Sequence, residues 1–285
     1  WQVMCAFIIT VYYFAIVVWT VCYVGFSFTS AWGDDPTSFF VSFLGLSDSA
    51  LNLGGIQMNL LLPYLAVWAV VAFIMYRGIN KGINIACKIC LPLLLIMITI
   101  LVIRGLTLPG ALDGLEYMFK PDWSALTKPS VWVAAYGQVF FSLSICFAIM
   151  LAYSSYLPKE TDVVNTAFIT ATTNHGFEVF AGIGVFSIMG YMAYAQGVGV
   201  EEIAGSGVGL AFMTFPTAIN TLPGMNGFFG VCFFGALLTA GITSLISIIQ
   251  AVVSGMQDKF AMSHKKACTV VMVPAFLLGL LFVTG

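Results

Sequence analysis

The sequence predicts an all-α integral membrane protein of about seven transmembrane helices, one of them discontinuous, and three observations carry that expectation. Of the 285 residues, 60% are hydrophobic and only 8% charged, with a mean hydropathy of +1.02, an apolar content no water-soluble domain of this size needs. Apolar runs of spanning length recur at about 3–29, 58–76, 83–103, 131–156, 163–195, 227–256 and 267–284. The fourth run is polar in its middle, where Ser142 and Ser144 follow Gln138 by one turn, and polar again at its end, from Tyr153 to Tyr156. A membrane-spanning backbone must satisfy itself, because hydrocarbon offers no partners. Hydroxyls at mid-depth can bond carbonyls and stabilise a local break, which frees oxygens for a cation or an ammonium group. The alternative for this run is an intact helix whose serines bond back onto the preceding turn.

Taken in order, the first run opens at once after Trp1, with no basic start and no small-residue cleavage pattern of a signal peptide. The chain therefore reads as the interior of a longer protein, forming a single transmembrane domain over residues 1–285. Lys and Arg set its orientation, since cytoplasmic loops carry them in excess. One set of alternate loops holds Arg77, Lys81, Lys88, Lys159, Lys259, Lys265 and Lys266, and the other holds Arg104, Lys120 and Lys128. The first set is inside, so the first helix runs outward. Of the outer loops, 30–57 reads as irregular, 105–130 has room for one short helix, and 196–226 is too apolar for a free loop and too broken for a span. A short hairpin folded back over the outer face fits the last of these.

The fifth run is too long to cross a membrane upright; its roughly 33 residues make about 50 Å of helix. Inside it Asn174 and Glu178 lie four apart and share a helix face, with a solvated loop around His175 and Gly176 as the bland alternative. A carboxylate at this depth is costly and normally faces a bundle interior. In the sixth run Thr243 and Ser244 stand side by side near mid-depth, where two hydroxyls can reach one small cation, although helix–helix hydrogen bonding is their commoner use. Gly241 and Ser247 read as close-packing residues. The seven cysteines fall in apolar runs, and Cys87-Lys-Ile-Cys90 has no second pair, so all read as packing thiols. A net charge of −2 excludes nucleic acid as a partner, and the lack of Asn-x-Ser/Thr sites points to a bacterial inner membrane.

In combination, several stretches resemble the neurotransmitter:sodium symporter family, and in particular its bacterial amino-acid members. They are Val11-Tyr-Tyr-Phe14 with Trp19-Thr20, Arg77-Gly-Ile-Asn-Lys-Gly-Ile83, Val131-Trp-Val-Ala-Ala-Tyr-Gly-Gln-Val-Phe-Phe-Ser-Leu-Ser144 and Ala240-Gly-Ile-Thr-Ser244. The interval from Ser142 to Asn174 and the inner end at Gln257-Asp258 fit as well. The resemblance implies a partial inverted-repeat transporter fold with a discontinuous helix around Ser142–Ala148; broken helices that bind at the midplane are the known device of that fold. It implies the third to ninth helices of a longer plasma-membrane protein, which performs sodium-coupled symport of a neutral amino acid or a related small amine–carboxylate.

Carried over by resemblance, Ile9, Tyr13, Phe141, Ser142, Ser144, Phe147, Ser244 and Ile248 bind substrate, with Tyr13 on its carboxylate and Phe141 in an outer lid. Ser142 and Asn174 belong to a first sodium site, and Ala240, Thr243 and Ser244 to a second. Oxygen-only ligation suits a hard cation. Glu178, near Gln138 and Ser142, stands where chloride-dependent members hold an anion, so no chloride requirement is expected. Ser155, Tyr156 and Asp258 belong to an inner gate. The expected partners are the small-molecule substrate and the bilayer, and a homodimer is compatible with the reading. One departure stands out: the family has glycines after the serine of the broken helix, where this chain has Cys146 and Ala148. Three other classes compete. A seven-helix receptor, or another non-transporting membrane subunit, matches the span count but no receptor motif. A channel would need a ring of charges or a filter-like run of carbonyls. An enzyme finds no support, because the two histidines, His175 and His264, lack catalytic or metal partners at useful spacing.

Overall fold

The structure, a computed structural model, describes residues 1–45, 55–203 and 207–284. Six helices among them are long and apolar enough to cross a membrane. These are α1 (Gln2–Ser27), α3 (Met58–Tyr76), α4 (Asn84–Leu106, entered through a π-helical turn, Ile79–Ile83), α8 (Val163–Gln196), α12 (Asn226–Phe260) and α13 (His264–Gly279, closed by a 3-10 turn, Leu280–Val283). The remaining run is split into α6 (Pro129–Ser142) and the short α7 (Ile149–Ser154), so the discontinuity lies where the two serines placed it.

The loops hold more helix than their sequences suggest. Residues 30–57 carry α2 (Pro36–Leu44), started by Pro36 and by the Asp35 carboxylate, which accepts from the Ser38 amide at 3.1 Å and the Ser38 hydroxyl at 2.5 Å. Those bonds hold the Asp35 carboxyl below its usual range. The helix ends at Gly45 in the left-handed region, and the rest of that loop, 46–54, lies outside the described residues. The expectation of an irregular loop is corrected there, because a cap and a proline start a helix without any long periodic pattern. Residues 105–130 hold two helical pieces rather than one, α5 (Ala111–Phe119) and a 3-10 turn (Trp123–Thr127) capped by Asp122. The expected outer hairpin is built from α9 (Val200–Ile203), α10 (Gly207–Gly209), a π-helical turn (Leu210–Thr214) and α11 (Phe215–Thr221).

The core is the seam between α1 and α12, with α3 and α13 closing one side. Phe14 and Trp68 stack across α1 and α3 at 3.6 Å between centroids. Toward the outer end, fully buried Tyr23 is ringed by Phe26, Trp32, Phe40, Phe212 and Phe234, which tie α1, α2, the hairpin and α12 into one aromatic cluster. The serine and threonine hydroxyls inside α1 are spent on its own carbonyls: Thr10 on Ala6 at 2.9 Å, Thr20 on Ile16 at 2.8 Å and Ser27 on Tyr23 at 2.7 Å. Each hydroxyl therefore crosses the membrane already paired.

The outer half of α8 packs on α4 and α5 through small residues. A side chain at Gly114 would overlap the Phe186 carbonyl, and one at Gly190 would overlap the Gly110 carbonyl. Glycine pairs of this kind let backbones approach where apolar burial supplies little drive between helices. Gly114→Ala and Gly190→Ala are each expected to lower thermal stability in detergent by about 1–3 kcal/mol, as overpacking does. Gly25→Ala, where a new methyl meets open space, is the control and should leave it within about 0.5 kcal/mol. Equal melting temperatures for all three variants would contradict the close crossing.

Candidate functional site

The break between α6 and α7 is an unwound stretch in which every second residue lies at positive φ. Ser144, Cys146 and Ala148 have φ of 54°, 69° and 61°. A few bonds hold it: Leu143 N–H donates to Val139 O at 3.0 Å, Ser144 N–H to Phe141 O at 3.1 Å and Ile145 N–H to Phe140 O at 2.9 Å. The carbonyls of Ser142, Leu143, Ile145, Cys146 and Phe147 accept none of these backbone bonds. The break thus supplies free oxygens, as the sequence reading requires.

It is held differently from expectation. Neither serine bonds a backbone carbonyl. The Ser142 hydroxyl donates instead to Glu178 Oε1 on α8, and the Asn174 amide donates to Ser142 Oγ at 2.5 Å and to Glu178 Oε1 at 3.1 Å. Asn174 and Glu178 are one helical turn apart with no loop between them, which settles the choice the sequence left open. His175 Nδ1 stands 3.3 Å from the other carboxylate oxygen, Oε2. One oxygen of Glu178 therefore faces the break and the other faces His175. The Glu178 side chain keeps 37% of its surface exposed among the described residues. Gln138, one turn before Ser142, is exposed and makes no side-chain hydrogen bond among them.

The second group lies on α12. Thr243 Oγ1 donates to Ala240 O at 2.9 Å and reaches Thr239 O at 3.1 Å, so two oxygens of the proposed ion ligands already touch. Across the α1–α12 seam the Tyr13 hydroxyl faces Ser244. Ile9, Tyr13, Phe147 and Ile248 pack in one apolar cluster, and Phe147 meets exposed Phe141 edge-to-face at 6.2 Å. The structure thus gathers the sequence-derived residues into two groups, Ser142 with Asn174 and Glu178, and the α1–α12 seam with Phe147. The loop from Ser142 to Phe147 joins them. Ser144 makes no side-chain bond among the described residues and contributes its turned backbone.

At the inner end Tyr156 OH lies 3.1 Å from Ser254 Oγ, and the Gln250 amide donates to Ser254 Oγ at 3.0 Å. Ser155 bonds only its own turn, at Ala152 O, and exposed Asp258 forms no ion pair among the described residues. Two polar contacts were missed from sequence. Fully buried Gln250 belongs to this cluster, and its Oε1 has no hydrogen-bond partner. Ser247 is no mere packing residue, because it receives the Tyr153 hydroxyl at 2.8 Å. The available signal was a polar stripe, Thr243, Ser247, Gln250 and Ser254, recurring every three or four residues on an otherwise apolar helix.

Residues 33–285 match the sequence profile of the sodium:neurotransmitter symporter family. An uncharacterized sodium-dependent transporter of Methanocaldococcus jannaschii is 43% identical over 99% of this chain, which spans 58% of that relative's length. The sodium- and chloride-dependent GABA transporter 2 of Mus musculus is 29% identical over 97% of this chain, which spans 52% of it. The structure is also similar to MhsT in complex with L-phenylalanine, with a TM-score of 0.79 and 29% identity, over 98% of this chain and 60% of MhsT.

Non-glycine residues at positive φ cost about 1–2 kcal/mol each, and glycine gives back about 0.4–1 kcal/mol of that through the freer unfolded chain. Cys146→Gly and Ala148→Gly are expected to raise thermal stability by up to roughly 1 kcal/mol each. Cys146→Val, β-branched, should lower it. A loss of stability in both the glycine and the valine variants, read by thermal unfolding in detergent, would contradict the left-handed geometry.

Proposed function

The chain belongs to the sodium:neurotransmitter symporter family, and from that premise we propose that it forms the third to ninth helices of a sodium-coupled symporter for a neutral amino acid or a related small amine–carboxylate. One observation carries the proposal: an unwound mid-membrane stretch with free carbonyls sits against Ser142, Asn174 and Glu178, an oxygen set suited to a hard cation beside a zwitterion. MhsT, similar in structure, was solved with L-phenylalanine, which is a ligand of this class. A membrane enzyme or a seven-helix receptor has no comparable support, and the family is one of transporters.

In this reading Ser142 and Asn174 contribute to a first sodium ion, and the Ala240 carbonyl with the Thr243 and Ser244 hydroxyls contribute to a second. Sodium would sit against Thr243 Oγ1 and Ala240 O, which stand 2.9 Å apart, using the lone pairs that the hydroxyl keeps while its proton is donated. Tyr13 holds the substrate carboxylate, with its hydroxyl placed beside Ser244. Ile9, Ser144, Phe147, Ser244 and Ile248 line the pocket, the carbonyls of Phe141 and Ser142 face the amine, and Phe141 lies over it as a lid. Ser155, Tyr156 and Asp258 close the inner side. Changing both Thr243 and Ser244 to Ala in the full-length protein is expected to abolish sodium-dependent substrate binding while the helical fold persists. Unchanged sodium dependence in the folded double variant would remove the second ion from the scheme.

We assign Glu178 the part that a chloride ion plays in the chloride-dependent relatives. Two sodium ions and a zwitterion at mid-membrane leave excess positive charge, and a fixed carboxylate offsets it without a diffusible anion. Its Oε1 already bonds Ser142 and Asn174, the proposed ligands of the first ion. Transport is expected to proceed without chloride. A Glu178→Ser variant should be inactive in gluconate and partly restored by chloride. Equal activity of the variant in the two salts, or a chloride requirement in the wild type, would refute the assignment.

A further inference from the structure

We infer that Tyr153 is a positioning residue that makes the inner half of the broken helix follow the ion-ligating turn of α12; this rests on the function proposed above. The inner half, α7, is six residues long, too short to hold its own conformation, and it begins from Ala148 in the left-handed region. Its anchorage is α12. There the Tyr153 hydroxyl donates to Ser247 Oγ at 2.8 Å, and Ser247 Oγ donates in turn to the Thr243 carbonyl at 2.8 Å. The chain of donors ends on the peptide group that joins Thr243 to Ser244, the two residues whose hydroxyls are assigned to the second ion.

The direction of these bonds gives the link its sense. A serine hydroxyl that bonds the carbonyl four residues back tilts that peptide and bends the helix slightly. The pull is stronger when the same hydroxyl accepts from a tyrosine, because hydrogen bonds in series polarise one another. Tyr153 therefore acts on the orientation of the turn from Ala240 to Ser244. The Thr243 hydroxyl donates to Ala240 O and Thr239 O, and its lone pairs remain for a cation. Sodium held by Thr243 Oγ1 and Ala240 O together would shift the turn and alter the carbonyl that Ser247 grips. The change would reach α7 through Tyr153. A contact whose strength differs between the ion-free and ion-bound states couples them, by its difference in free energy. Tyr153 touches neither ion nor substrate in this scheme. Ser247 lies one turn beyond Thr243 and, among the described residues, is the side chain on α12 to which Tyr153 bonds. The neighbouring cluster of Tyr156, Gln250 and Ser254 is separate and makes no bond to the ion-ligating turn.

The test uses the full-length protein in detergent or nanodiscs, with Tyr153→Phe, Ser247→Ala, the double variant and Ser247→Thr. Two quantities are read: the sodium concentration for half-maximal substrate binding, and hydrogen-exchange protection of residues 149–156 with sodium against potassium. Each single loss is expected to raise the sodium requirement by about three- to tenfold, as losing one hydrogen bond does, and to erase the sodium-induced protection. The double variant should be no worse than either single one, and Ser247→Thr, which keeps the hydroxyl, should behave as wild type. Sodium-induced protection that persists in Tyr153→Phe overturns the inference, as do effects that simply add. A wild-type protein whose substrate binding ignores sodium would instead overturn the proposed function, and this inference with it.

Discussion

A peptide group inside a bilayer has no water to turn to, and that constraint governs the molecule. Each intact helix meets it internally, and even the serine and threonine hydroxyls of α1 are turned onto carbonyls one turn back. The stretch from Leu143 to Ala148 does not meet it. With Ser142 it leaves five carbonyls without backbone donors among the described residues, and it places three non-glycine residues at positive φ. Such a segment persists only where its surroundings over-determine it. Here they do so from both ends. Ser142 is fixed to α8 through Asn174 and Glu178, and α7 is fixed to α12 through Tyr153.

Those two anchors explain the arrangement of the long helices. α8 and α12 run to 34 and 35 residues, longer than a crossing requires, and both carry polar side chains where the break meets them. α1 gives the break an apolar floor through Ile9 and Tyr13, while its far face joins α3 through the Phe14–Trp68 stack. The outer hairpin is pinned by hydrogen bonds near its end. Trp32 Nε1 donates to Asn220 Oδ1 at 2.8 Å, the Asn220 amide donates to Gly33 O at 2.6 Å, and Arg104 donates to Pro223 O at 2.9 Å. The rigid frame and the irregular centre are thus distinct parts, and the polar chemistry is concentrated in the centre.

Much of this was legible in the sequence, for a physical reason. Runs of apolar residues leave little choice of secondary structure in a membrane, so the long helices could be placed from composition. The break could be placed because two serines and a glutamine are conspicuous among apolar neighbours. What escaped was local or long-range. α2 hangs on one cap, Asp35, and one proline, signals too short to stand out in an aromatic stretch. The partners of Ser142 and Ser247 lie 36 residues later and 94 residues earlier, and no periodicity connects positions on different helices. The expectation that serines support the break by bonding its backbone failed because Glu178, four residues beyond Asn174, offered Ser142 a charged acceptor. A hydrogen bond to a charged group outweighs a neutral one.

The two polar groups differ in how much freedom they leave to the break. At its outer end, a carboxylate, an amide and a hydroxyl bond one another, so that corner is preorganised and a cation would find its oxygens gathered. At the inner end the hydroxyl of Thr243 donates to the carbonyls of Ala240 and Thr239, so one proposed ligand is bonded to another and only its lone pairs face an ion. Binding at the first group therefore asks for little rearrangement, and binding at the second asks Thr243 Oγ1 and Ala240 O to open around the ion. A site that must rearrange to bind is the one whose occupancy alters its neighbours, because only a difference in interaction between two states can shift their balance. The inner half of the broken helix meets that second group through the Tyr153 hydroxyl, while its far end meets α12 again through Tyr156. Of the two halves, it is therefore the inner one that should respond to ion binding. Linkage then makes the effect reciprocal: to the extent that sodium tightens α7 on α12, whatever holds α7 there also strengthens the hold of the turn from Ala240 to Ser244 on its ion.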